Sequence, residues 1–102
     1  MLAPPTLSLD RYVIETLLPD LVGHDRATSA FLVYLVILAQ AGEARAALSH
    51  SQLAERTGLS RRAVQTAVGL LHRRQLIEIS RRGVTDTSEY RPLSPWRRRG
   101  AW

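Results

Sequence analysis

In the stretch SRRAVQTAVGLLHRR, Arg62, Gln65, Thr66, Gly69 and Arg73 fall on one side of a helix, with Arg61 at its N-terminal edge. These residue types suit base edges. A guanidinium pairs with guanine N7 and O6, a glutamine amide with adenine N6 and N7, and a threonine methyl meets a thymine methyl. Gly69 leaves the middle of the face bare, so a nucleic-acid backbone can come close, although glycine costs helix stability relative to alanine. Val64, Ala67, Val68 and Leu71 recur at i, i+3, i+4 and i+7 and make the opposite face apolar. A helix that is apolar behind and cationic in front is suited to a DNA major groove.

Other chemistry is not expected. His24, His50 and His72 are read as having no histidine or carboxylate partner at metal spacing, and there is no cysteine to complete a site. His50, beside a cap, reads as a surface or hydrogen-bonding residue, and His72, at the back end of the helix, as a packed histidine or, alternatively, a phosphate contact. The chain has no phosphate-cradling glycine loop and no G-x-S-x-G elbow, and its 9 acidic residues are scattered. The expectation is a non-enzyme with no metal and no cofactor.

The elements that must position this face lie immediately upstream. In SHSQLAERTGLS, Leu53, Ala54 and Thr57 share the inner side of a short helix, leaving Gln52, Glu55 and Arg56 outward. Ser49 or Ser51 is placed to cap its start. Gly58 stands where a helix end takes a left-handed residue, Leu59 turns inward, and Ser60 is placed to cap the next helix. Leu53, Ala54, Gly58, Leu59, Ser60, Val64, Ala67 and Val68 together resemble the helix-turn-helix signature of bacterial winged-helix transcription regulators of the GntR and MarR types. With its flanks the resemblance covers residues 28–93. A helical hairpin that merely packs is the plain alternative.

The resemblance implies a mainly α winged helix-turn-helix with a small β-hairpin wing. A reading helix over 60–75 would enter the major groove, and a wing over 81–88 would follow the backbone or minor groove. Ser49, Ser60, Arg61, Arg62, Gln65, Thr66, Gly69 and Arg73 would then form the DNA contact set, joined by Arg81 and Arg82 on phosphates and Thr85 as a hydrogen-bonding partner. The helix start at Ser60 also offers backbone amides to a phosphate. An ordinary solvated hairpin is the alternative for the wing. Ala46 to Leu48 is expected as the short strand that precedes the helix pair in this family.

Around this centre the chain divides into an N-terminal arm and helix over 1–24, a winged helix-turn-helix over 25–95, and a basic tail over 96–102. Pro4 and Pro5 mark an extended arm; Leu9, Val13 and Leu17, at i+4 steps, predict a helix from Ser8 or Asp10. Pro19 is expected to end or kink it, leaving LPDLVGHD as a connection. This extra helix either caps its own core or forms a homodimer contact. Asp25 or Thr28 is expected to cap the next helix, whose centre AFLVYLVILA (30–39) is apolar nearly all round and therefore buried. That run is about half the length a membrane span requires, so no membrane partner is expected. After the reading helix, LIEISR and SEYRPL read as strands, with Pro92 confining the second to an edge or to its own end. In the tail, Trp96 packs on the domain or the arginines from Arg97 to Arg99 add affinity for DNA.

At 102 residues, with 45% hydrophobic and 23% charged, the chain is an ordinary single-domain globule. Its net charge of +5 favours a polyanionic partner, and all 14 basic residues are arginine. The absence of cysteine fits a reducing cytosol, and MLAPPTLSLDR lacks the pattern of a signal peptide. A cytoplasmic protein, nucleoid-associated when bound to double-stranded DNA, is the expectation. The functions that fit are a small transcription regulator, a replication or plasmid-maintenance DNA binder, and a winged-helix protein-interaction module.

Overall fold

The apolar run at the centre of the chain forms helix α1, Thr28–Ala41, in a computed structural model that describes residues 5–42, 44–81 and 87–97. Ala30, Phe31, Val33, Tyr34 and Ile37 are all buried, because neighbours close on α1 from several sides. Tyr34 is wholly enclosed, and its hydroxyl donates to the Leu93 carbonyl at 3.0 Å, so the one polar atom carried inside has a partner. Burial pushes its phenol up to about 12. Neither residue expected to cap this helix does so. The N-cap is Ala27, which offers no side-chain acceptor; Thr28 is already the first helical residue, and Asp25 is engaged by His24 and Arg74.

Strand β1, Ala46–Ser49, leads into α2, His50–Thr57, and α3, Arg61–Arg73. Strands β2, Ile77–Arg81, and β3, Thr87–Pro92, follow. The sheet is antiparallel in the order β1-β3-β2, with Ala46 and Ile79 both opposite Tyr90. Alternation in β3 turns Ser88 and Tyr90 inward while Thr87 and Glu89 are half-exposed. Pro92 is compatible with this central strand because it ends it, opposite Ile77, where its missing amide breaks no internal rung. Leu48, Ile77 and Tyr90 from the sheet meet α1, Leu53 of α2, and Val64, Ala67, Val68 and Leu71 of α3 in one core.

The N-terminal segment departs from expectation. Pro19 does not end the helix; helical winding runs on to His24, as π-turns over Val13–Leu17 and Pro19–His24. The Leu18 amide bonds the Val13 carbonyl, and the Asp25 amide bonds the Asp20 carbonyl at 2.9 Å, each five residues back. In an α-turn a proline crowds the carbonyl four residues back and leaves it without a donor; bonding shifted to i−5 widens the turn and accommodates the ring. The segment read as a connection is therefore helical, and it carries Leu21, which continues the buried stripe of Val13 and Leu17. Leu9 precedes the helix and is half-buried.

At the other terminus a short 3₁₀ turn, Pro95–Arg97, returns to this helix. Trp96 stacks on Tyr12 with ring centroids 4.6 Å apart, and its indole N–H donates to Asp10 at 2.8 Å. Arg97 grips both oxygens of the same carboxylate, at 2.6 and 2.7 Å. Among the described residues no helix is long and apolar enough to cross a membrane. A helix pair against a small antiparallel sheet, with an additional N-terminal helix, is a winged helix-turn-helix.

Candidate nucleic-acid interface

The exposed face of α3 is held by caps at both ends of a tight turn. Ser49 caps α2 in a reciprocal box: its hydroxyl accepts from the Gln52 amide at 3.1 Å, and its own amide donates to the Gln52 side chain at 2.8 Å. Gly58 ends α2 at φ 79°, a left-handed geometry that a side chain resists, and its amide bonds Ala54 at 2.9 Å. The Thr57 hydroxyl donates to the Leu53 carbonyl at 2.7 Å and accepts from the Leu59 amide at 3.2 Å, stitching the turn. Ser60 then caps α3, accepting from the Ala63 amide at 3.1 Å. Caps of this kind contribute about 1 kcal/mol each.

The C-terminal end of α3 is fixed as well. Gln75 adopts φ 58°, and the Leu76 amide bonds the Leu71 carbonyl at 2.9 Å, closing the last turn. Arg74 donates to Asp20 at 2.6 Å and to Asp25, tying the N-terminal helix to this end. The hydrogen bond with His24, with Arg74's charge adding to it, holds the Asp25 carboxyl below its ordinary value. Asp20, His24 and Asp25 bring possible ligand atoms within 4.8 Å of one another, which corrects the expectation that no histidine has a carboxylate at metal spacing. Asp20 stands four residues before His24 on the helix. Arg74 lies between the two carboxylates and pairs with both, so the group serves as a clasp.

Between these fixed ends, Val64, Ala67, Val68 and Leu71 are buried while Arg61, Arg62, Gln65, Thr66 and Arg73 are exposed. His72 is exposed too, not packed as expected, because it lies on the same outward side as Arg61 and Gln65. Gly69 sits mid-face. A Cβ there would meet only the Arg73 guanidinium, at 3.7 Å, so packing within the chain does not demand glycine.

Partnering separates the arginines into two sets. Arg11 pairs with Glu15, Arg45 and Arg91 with Glu78, Arg74 with Asp20 and Asp25, and Arg97 with Asp10. Arg56 donates to the Gln40 amide oxygen at 2.6 Å. Arg61, Arg62 and Arg73 on α3 have no hydrogen-bond or ion-pair partner among the described residues, and neither does Arg26. Three guanidiniums on one exposed helix face are thus left with open donors.

The structure brings together Ser60, Arg61, Arg62, Gln65, Thr66, Gly69 and Arg73 on one helix, with Ser49 at the start of the helix before it. The backbone of Arg81 ends β2 opposite Ser88; its side chain, together with Arg82 and Thr85, lies outside the described residues. Arg26 was missed by sequence reasoning. It precedes α1 and shares a cleft with Thr66 and Arg73, a juxtaposition with no local pattern to announce it.

Comparison with curated proteins and with solved structures gave no match. A protein-family model described as a helix-turn-helix domain matches residues 27–77, which span α1, β1, the capped α2–turn–α3 unit and the first residue of β2. That match covers half of the 102 residues, and its centre is the element whose caps, turn and exposed cationic face have just been described: the chain belongs to the helix-turn-helix domain family and carries a DNA-binding domain of that kind.

Proposed function

We propose that this chain is a sequence-specific binder of double-stranded DNA acting as a small transcription regulator of the bacterial winged-helix type. The observation that carries the reading is the partnering of the arginines: among the described residues Arg61, Arg62 and Arg73 keep open donors on α3, whereas Arg11, Arg45, Arg74, Arg91 and Arg97 are each paired with a carboxylate. A helix face that keeps three guanidiniums uncommitted has their donors available to an external anion. Arg61, Arg62, Gln65 and Thr66 read base edges in the major groove, Gly69 allows close approach, and Arg73 meets phosphate. The amides at the start of α3 add a phosphate contact.

Ser49 lies close to the groove as the cap of α2. In this reading Arg81, Arg82 and Thr85 contact the DNA backbone or the minor groove. Residues 25–95 form the reading domain, 1–24 an arm and helix that also serve a second subunit, and 96–102 a basic tail. Catalysis, metal and cofactor have no part in this mechanism.

The test is fluorescence anisotropy with random-sequence duplexes at two salt concentrations, followed by sequencing of the bound fraction. Binding that falls with salt and enriches a two-fold symmetric motif supports a dimeric, sequence-reading protein. Salt-sensitive binding without enrichment refutes sequence reading and leaves an accessory role. No binding at low salt refutes the proposal and turns attention to an acidic protein partner.

A further inference from the structure

Arg26 stands at the joint between the N-terminal helix and α1 with φ 53°, a left-handed geometry that glycine or asparagine adopts more cheaply than arginine. It is exposed and has no partner among the described residues. Its neighbours make that costly placement meaningful. Arg26 lines a cleft of about 520 Å³ together with Thr66 and Arg73, on the edge of the α3 face that borders the start of α1. Asp25 is also on the rim, but its carboxylate is bonded to Arg74 and His24 and to neither arginine of the cleft. Two arginines from distant parts of the chain, neither with a partner among the described residues, therefore line one cleft beside the reading helix.

We infer that Arg26 and Arg73 form a clamp for a DNA backbone phosphate, the one flanking the groove on the α1 side of α3. This rests on the DNA-binding reading and extends it to a residue outside the reading helix. Guanidiniums hold phosphate oxygens in paired, charge-assisted hydrogen bonds, and such a contact fixes register without selecting sequence. The strained backbone at Arg26 is explained by the need to bring a guanidinium to that edge. Thr66, one of the base-reading side chains, lines the same cleft as the two arginines and so joins phosphate contact to groove contact.

The experiment compares Arg26→Gln and Arg26→Lys with the unsubstituted chain, on a selected duplex and on scrambled duplexes, across a salt series. Both substitutions keep an L-residue of similar length at the same φ, and thermal melting verifies that the fold is retained. The clamp predicts that Arg26→Gln loses about tenfold in affinity on both duplexes alike, with the log–log salt slope reduced by about 1. Arg26→Lys should restore much of that slope. Unchanged affinity and slope in Arg26→Gln, with the unsubstituted chain binding DNA normally, overturns the clamp and leaves the reading helix standing. Loss on the selected duplex alone overturns it too, since that is base readout. Failure of the unsubstituted chain to bind any duplex refutes both.

Discussion

Replacing Gly69 with alanine should move stability and DNA binding in opposite directions. Position 69 lies inside α3 and is half-buried, in ordinary helical geometry, so alanine is tolerated by the backbone. An added Cβ meets only the far end of a flexible side chain, Arg73, at 3.7 Å, and displaces nothing. Helix propensity then favours alanine by about 1 kcal/mol, which in a domain of this size raises the melting midpoint by about 4–8 °C. In the proposed complex the same methyl would stand in the middle of the contact face. If DNA approaches the α3 backbone there, an inserted methyl in a close-packed contact costs about 1–3 kcal/mol, or about 5-fold to about 150-fold in Kd. Differential scanning fluorimetry and anisotropy on one preparation read both quantities. A stabilised variant that binds DNA as tightly as the parent refutes close approach at Gly69. A destabilised variant refutes the claim that the chain itself has no use for glycine at this position.

The same substitution at Gly58 should behave differently, because φ 79° there is hostile to a side chain: Gly58→Ala lowers stability by about 1 kcal/mol in urea titrations, where no loss would contradict the left-handed turn. Asp10 offers a pH signature. Hydrogen bonds from Arg97 and then Trp96 lower its carboxyl to about 2, so the stability this clasp adds is complete above pH ~4 and is lost as pH falls through about 2. The carboxylate is partly solvated, which limits that stability to about 1 kcal/mol or less. The melting difference between parent and Asp10→Asn should therefore shrink between pH 4 and 2, and a difference that stays constant over that range contradicts the assigned ion pair.

How much of this was legible in the sequence follows the range of the forces involved. The Gly58 turn, the Ser60 cap and the apolar stripe of α3 are local, and each was readable from spacing alone; Ser49 was readable as one of two caps. The strands of the wing were placed to within a residue or so, because Leu76 to Arg81 and Ser88 to Leu93 carry strand composition. Pro19 misled, since a proline rule written for α-turns does not anticipate i−5 bonding. The cap of α1 misled for a similar reason: Asp25 is a good capping residue, but it found a stronger partner in Arg74, 49 positions away. Which arginines are free was not legible at all. Arg61 and Arg74 look alike in the sequence, and only the fold decides that one meets solvent while the other meets two carboxylates.

The central claim is that the exposed face of α3 reads base edges, and Arg62 tests it most directly. Its guanidinium is exposed and has no partner among the described residues, so truncation removes no intrachain contact and stability should stay unchanged. Affinities of Arg62→Ala and the parent are measured side by side on the selected duplex and on a scrambled one. The account predicts a loss of about 1–3 kcal/mol on the selected duplex and a much smaller loss on the scrambled duplex. Equal losses on both duplexes, or none on either, would contradict it.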